Sequence, residues 1–326
     1  MGSLKNILKT TLPLGIGVFF IFLTLKNTTA EEQNIILGYM KKADLKFVVL
    51  SGLFGILSHL SRAYRWNFLL HPLGYHARFI NSILAVLIAY ISNLGIPRSG
   101  EFLRATTIST YEKIPFEKGF GTIIAERMVD LVMLIIFILL ALGLQFDLIW
   151  NVLQQNNFSF SKLILIGIVL LIVFFLLRGP YKRGTHPLLI KIKQFIAGLM
   201  EGIYSLKNIK NKGAFLFHTL FIWFMYFAMF YVIKWTVPET ESLTAIAMLP
   251  AFVIGGLTIS ATNGGVGIYP FSVALVLSAY GISNESGLAF GWIMWSAQTA
   301  LVILFGSLSF FILPLINQRL KPEPNG

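Results

Sequence analysis

Long apolar runs separated by short polar stretches dominate the chain. Six runs are long, about 10–25, 45–63, 119–143, 161–178, 213–234 and 286–316. Three are shorter or broken: 79–94, 243–262 and 265–280. A helix that crosses the hydrocarbon core of a bilayer needs about 20 mainly apolar residues. The pattern therefore predicts an all-α polytopic membrane protein. It has about six full transmembrane helices plus two broken or re-entrant hairpins in an inverted-repeat arrangement. Residues 1–326 form one integral membrane domain. Its first half, 10–143, holds a broken hairpin near 79–115. A middle span and a basic loop follow over 144–212, and the second half, 213–316, holds a broken hairpin near 243–280. The first run follows Lys5 and Lys9 and precedes Thr28-Thr29-Ala30, which has the form of a signal peptide. The many spans behind it favour an uncleaved first span.

The run 79–94 ends in Leu94-Gly95-Ile96-Pro97, and the runs 243–262 and 265–280 meet at Thr262-Asn263-Gly264-Gly265-Val266-Gly267. Both are helix-breaking sequences. Non-helical backbone at membrane depth is tolerated only where protein or a water-filled cavity covers it. Broken segments at corresponding positions of two halves of opposite topology are the sequence pointer to a transporter site near the midplane. The alternative is that Gly and Pro are simply commoner in membrane helices.

Composition fits this picture. Hydrophobic residues make up 56% of the chain and charged residues 12%, about half the charge of an average soluble domain. The formal net charge is +12. The bases sit at the ends of apolar runs, so the positive-inside rule accounts for most of them, and nucleic acid is not an expected partner. The basic stretch 178–212 and the tail with Arg319 and Lys321 read as cytoplasmic, as do 62–78 and 98–118. The Lys- and Arg-free 144–160 reads as outside. With both termini cytoplasmic, Lys and Arg divide 20 inside against 6 outside. The flanks of 79–94 both belong inside, which is what makes that run re-entrant. The opposite holds for 243–280, entered from outside.

There are no cysteines, which excludes disulfides, thiolate metal sites and a cysteine nucleophile. The five histidines, at 59, 71, 76, 186 and 218, form no i,i+4 pair, so no metal centre is expected. No ATP-binding motif, cofactor or catalytic residue is expected.

The candidate chemistry lies in 92–130. Arg98, Glu101 and Arg104 recur every three residues, which stacks them along one side of a short helix. Glu126 and Asp130 are i,i+4 and share a face of the next span, with Arg127 pointing about 100° away. Ionisable groups inside a span are costly and usually face a cavity or each other. On one reading Arg98, Arg104 and Arg127 bind an anionic lipid headgroup, with Arg62 and Arg65 in reach, because the planar guanidinium fork matches phosphate. The carboxylates Glu101, Glu126 and Asp130 then orient those arginines. On the other reading Arg98, Arg104, Arg62 and Arg65 anchor the cytoplasmic face, and Glu126-Arg127-Asp130 form an ion-pair cluster locking the span to the hairpin. The broken-helix turns are Asn93, Gly95 and Pro97 in the first hairpin, and Asn263, Gly264, Gly265 and Gly267 in the second. The latter loop offers backbone N–H groups in an anion-binding geometry. The loop 181–212 reads as an amphipathic basic segment on an anionic leaflet.

At these residues the sequence resembles the flippase-like transmembrane domain of the lysylphosphatidylglycerol synthases, the multiple-peptide-resistance lipid flippases, including its stand-alone bacterial members. The resemblance rests on Asn93, Pro97-Arg98, Gly100-Glu101, Arg104, Glu126-Arg127 and Asp130, with the Gly264-Gly265-Val266-Gly267 turn as a second element, and covers roughly 10–316. It implies movement of an anionic phospholipid or a lipid-linked molecule (polyprenyl or glycolipid) between leaflets of a bacterial cytoplasmic membrane. It also implies that any lipid-modifying enzyme or glycosyltransferase partner is a separate chain. Without the soluble aminoacyl-transferase domain of full-length synthases, the chain is not expected to make aminoacyl lipids. The family's acidic residue after the glycine turn is missing, where this chain reads Ile268-Tyr269-Pro270-Phe271. Two alternatives remain open: an accessory subunit, or a membrane enzyme of lipid or lipid-linked glycan modification holding Mg²⁺ on Glu126 and Asp130.

Overall fold

The computed structural model describes residues 30–147 except 97, and 206–318 except 263. The runs 10–25 and 161–178, most of the loops 144–160 and 178–212, Pro97, Asn263, Arg319 and Lys321 lie outside the described residues.

All regular structure among the described residues is helical. The helices are α1 (Ala30–Lys42), α2 (Leu45–Leu70), α3 (Phe79–Gly95), α4 (Ser99–Glu112), α5 (Phe116–Leu144), α6 (Lys212–Val232), α7 (Ala245–Ala261), α8 (Ile268–Ser278) and α9 (Asn284–Gln318). Four helical stretches are long and apolar enough to cross a membrane: Leu45–Leu73, Phe116–Leu144, Lys212–Thr236 and Asn284–Gln318. They coincide with four of the six long apolar runs. Phe217, Leu139 and Phe311 on α6, α5 and α9 are exposed, which water would disfavour and lipid accepts. Helix α1 was not anticipated, being too short and polar for a span. Its Ile36 is buried, with Tyr39 and Met40 beside it in the cluster that includes Phe290 and Met294 of α9.

Two features differ from the sequence reading. Helix α2 runs on to Leu70, so Arg62 and Arg65 lie within it, fully covered, and not in a loop. Their charges are met by carboxylates from α5, which lets the helix continue past the end of the apolar run. Arg98, Glu101 and Arg104 do not share one helix side. Arg98 precedes α4 with φ of +61°, where the chain turns out of the break.

Each broken segment forms a hairpin of two packed helices. In the first, α3 stops at Gly95 and α4 returns from Ser99. The Ser99 hydroxyl donates to the carbonyls of Ser92 and Ile96 at 3.0 and 2.8 Å. The Gly100 N–H donates to Asn93 Oδ1 at 2.8 Å. A Cβ on Gly100 would lie 2.2 Å from the Ala89 carbonyl oxygen, so only glycine lets the limbs close. In the second, α7 gives way to Gly264, Gly265 and Gly267, all with φ near +70° to +76°, a region glycine enters without Cβ strain. The Gly265 N–H donates to Thr262 Oγ1 at 3.0 Å, and Trp295 Nε1 of α9 donates to the Gly264 carbonyl at 2.7 Å.

The hairpins open at opposite ends of the molecule. Helices α2 and α6 run antiparallel. Ile209 and Phe215 near the start of α6 pack with Trp66, Leu69 and Leu70 at the end of α2. Phe47 at the start of α2 stacks on Trp235 just past α6, with ring centroids 5.3 Å apart. The open end of the first hairpin lies by the end of α2 and bonds to Asn317 at the end of α9. The open end of the second lies at the start of α9, where Ser283 bonds to Glu239. The two tips touch: a Cβ on Gly264 would fall 2.7 Å from Leu94 Cδ2.

Candidate functional site

Where the first hairpin meets α2, α5 and α6, three arginines and two carboxylates are packed into the interior. Arg62 and Arg65 come from one face of α2, three residues apart. Arg104 comes from α4, and Glu126 and Asp130 from successive turns of α5. Arg104 grips Glu126 with both ends of its fork, at 3.2 and 3.0 Å, and its guanidinium lies 3.9 Å from the Trp66 ring centroid. Arg62 Nη1 donates to Glu126 and to Asp130, both at 2.6 Å, and its Nη2 to the Tyr226 hydroxyl at 3.3 Å. Arg65 donates to Asp130 at 2.9 Å and to Thr219 Oγ1 at 3.1 Å. The Arg62, Arg65 and Arg104 side chains are at most 3% exposed and Glu126 is 1% exposed. Charges removed from water this way are held by one another, and removing one partner strands the rest.

The outer edge of the cluster is different. Arg127 is 42% exposed and forms an ion pair with Glu101 at 2.9 Å, with Asp130 at 3.8 Å. Arg98 is exposed at the tip of the first hairpin and forms no ion pair with another described residue. Four guanidiniums (62, 65, 104, 127) meet three carboxylates (101, 126, 130), so the cluster keeps one net positive charge, and Arg98 adds a second. The inner arginines thus have their terminal nitrogens occupied while each keeps a buried Nε without a partner, and Arg98 presents its charge at the surface of the break. The structure brings Arg62, Arg65, Arg104, Arg127, Glu101, Glu126 and Asp130 into one network, and leaves Arg98 outside it.

The turn residues have structural partners. Asn93 caps Gly100, and Gly264 meets Leu94 and Trp295. Gly95 is exposed at the end of α3. Pro97 and Asn263 lie outside the described residues.

Several residues of the site escaped the sequence reading. Trp66 lies under Arg104 and donates through Nε1 to Thr122 Oγ1 at 2.8 Å. Thr219 and Tyr226 of α6 bond to Arg65 and Arg62, and the Tyr226 hydroxyl bonds onward to the Tyr90 hydroxyl at 2.8 Å. The buried His59 ring packs on Tyr90, centroids 4.3 Å apart. Helical spacing held the signal: Thr219 and Tyr226 are seven residues apart on one face of a mainly apolar helix, and His59, Arg62 and Trp66 recur at three and four on α2. No group of three or more His, Asp or Glu side chains that could hold a metal occurs among the described residues.

Comparisons with known proteins agree with the resemblance. Residues 11–306 match the family described as the lysylphosphatidylglycerol synthase TM region. The chain is similar to UPF0104 membrane protein MJ1595 of Methanocaldococcus jannaschii, 23% identical over 341 residues that span 95% of this chain and 93% of that protein. It is also similar to UPF0104 membrane protein PH1989 of Pyrococcus horikoshii, 28% identical over 189 residues, 57% of this chain and 55% of that one. Both relatives are archaeal, so they lend no support to a bacterial source. No solved structure matches.

Proposed function

This chain belongs to the lysylphosphatidylglycerol synthase TM-region family, and from that premise we propose that it is a lipid flippase, moving a lipid with an anionic phosphate headgroup between leaflets. The observation that carries the reading is the contact of the two hairpin tips at Leu94 and Gly264, reached by hairpins that open at opposite ends. Two broken elements meeting in this way frame a transporter site near the midplane. In this reading both hairpins are re-entrant, one from each side of the membrane. Arg98 and Arg127 touch the headgroup phosphate, each as a fork-shaped donor. Arg62, Arg65 and Arg104, held by Glu126 and Asp130, form the positive platform beneath them. The lipid tails stay in the bilayer while the headgroup passes. The chain has no catalytic step of its own, and a lipid-modifying enzyme acts as a separate partner.

The test is transbilayer movement in liposomes reconstituted with the full chain, using fluorescent anionic phospholipids, a zwitterionic phospholipid and a polyprenyl-phosphate lipid. Wild type is expected to move at least one anionic lipid faster than protein-free vesicles do. Arg98→Ala slows it by about tenfold or more, as loss of a charge-assisted hydrogen bond predicts. Movement of none of these lipids overturns the flippase reading and favours an accessory subunit. Equal rates for Arg98→Ala and wild type leave transport standing and remove Arg98 from the site.

A further inference from the structure

A second polar cluster closes the open end of the first hairpin. At the start of α3, Arg78 Nε and Asn81 Nδ2 both donate to Glu112 Oε1 at the end of α4. Arg78 Nη2 and Asn81 Nδ2 also donate to Asn317 Oδ1 near the end of α9. Asn317 Nδ2 returns a bond to Asn81 Oδ1 at 3.0 Å, so the two amides pair face to face. Asn81 is fully buried, and the Glu112 side chain is 8% exposed. Directly behind the cluster lies an apolar layer of Leu84 and Ile88 of α3 and Leu313 of α9, with Leu103 and Tyr111 of α4 packed on it.

We propose that Arg78, Asn81, Glu112 and Asn317 form a gate that seals this end by clasping the last turn of α9 to both limbs of the first hairpin. The inference rests on the transport reading for its purpose, and on the bonds above for its existence. The chemistry suits a gate. Arg78 is 40% exposed, so water can replace its bonds as they break. Paired amides carry no net charge that would be stranded on opening. The buried cluster on α2 and α5 has neither property, because separating it would leave unpaired charges in the interior. At the opposite end Glu239, between α6 and α7, accepts from the backbone N–H of Ser283, between α8 and α9, at 2.9 Å and from its hydroxyl at 2.9 and 3.0 Å. The structure therefore stands with its Asn317 end clasped over α3, α4 and α9. Opening at the Asn317 end means release of α9 from the hairpin and exposure of the Leu84–Ile88–Leu313 layer.

The absence of cysteine makes the test direct. Ile88→Cys in the full chain, in lipid nanodiscs where both ends are accessible, is reacted with a charged thiol reagent. Adding Asn317→Ala or Asn317→Leu is expected to raise its reactivity by about tenfold, because the hydrogen bonds between α9 and the hairpin, made only in the closed state, are lost. A control Met248→Cys, fully buried in the other half, keeps its low reactivity. Unchanged reactivity at 88 in both variants overturns the gate, and so does an equal rise at 248, which reports general loosening. In liposomes, Asn81→Cys with Asn317→Cys joined by an added oxidant should stop lipid movement, and a reductant should restore it. Movement that continues at the reduced rate constant while cross-linked also overturns the gate. If wild type moves no lipid at all, the transport reading fails, and the reactivity at 88 still decides whether this end opens.

Discussion

The two hairpins share a shape and differ in what holds them. The first is docked by charge in addition to a glycine contact, since a Cβ on Gly306 of α9 would fall 2.6 Å from Ile91 Cβ of α3. Arg104 on its returning limb is gripped by Glu126, whose other partner Arg62 ties it to α2. The second is docked by backbone contact. Built Cβ atoms on Gly287 and Gly291 of α9 would fall 2.9 Å from Ala274 Cα and 2.5 Å from Pro270 Cα of α8. On α7, one at Gly255 would fall 2.7 Å from the Tyr269 ring. No charged side chain lies on α7 or α8. Close approach through small residues is the usual way apolar helices adhere where lipid competes as a solvent. A charged joint costs more to build, and under the proposed function the hairpin that carries it is the one that handles the headgroup.

The largest expected effect breaks the charged joint. Glu126→Gln removes the negative charge that Arg104 and Arg62 share and turns one acceptor oxygen into a donor facing an arginine, which should cost about 3–5 kcal/mol, seen as a marked drop in the unfolding temperature in detergent. A variant as stable as wild type would mean the arginines are paired by water or lipid instead. Next comes the glycine joint. Gly291→Ala should cost about 1–3 kcal/mol through overpacking, measured the same way, with no change in selectivity among lipids. Smaller still in stability is Arg127→Gln, expected to cost about 1 kcal/mol or less because its ion pair with Glu101 is partly open to solvent. Its effect should fall on the rate of anionic-lipid movement. Smallest is Glu239→Gln. The Ser283 N–H and hydroxyl hold the Glu239 carboxyl below its ordinary value of 4.5. That pairing stabilises the folded state at neutral pH and is lost as pH falls through the lowered value. The slight difference between wild type and Glu239→Gln should therefore be present at pH 7 and vanish in acid.

Much of this was legible in the sequence because membrane helices announce themselves by length and apolarity. The four described spans and both breaks fall where the hydropathy and the Gly/Pro signals put them. Of the seven arginines and carboxylates of the network, Glu126, Arg127 and Asp130 were visible as charges inside an apolar run, Arg62 and Arg65 as bases at the end of one, and Glu101 and Arg104 as a helical spacing between runs. Their partnership was harder to read. Arg98, Glu101 and Arg104 look like one helical stripe, but the φ of +61° at Arg98 takes it out of the helix. Arg104 turns inward to Glu126, 22 positions away, a pairing that spacing alone does not fix. Trp66, Thr219, Tyr226 and Asn317 gain meaning only from neighbours on other helices. Helix α1 carried too few apolar residues to register as a span.

The most direct test of the central claim is the ratio of anionic to zwitterionic lipid movement in the same liposomes, for wild type and for Arg98→Gln with Arg127→Gln. The account predicts that wild type favours the anionic lipid and that the double substitution brings the ratio close to one by slowing the anionic lipid alone. A ratio that survives the substitution, or rates that fall in parallel for both lipids, would contradict the assignment of the charged hairpin as the side that handles the headgroup.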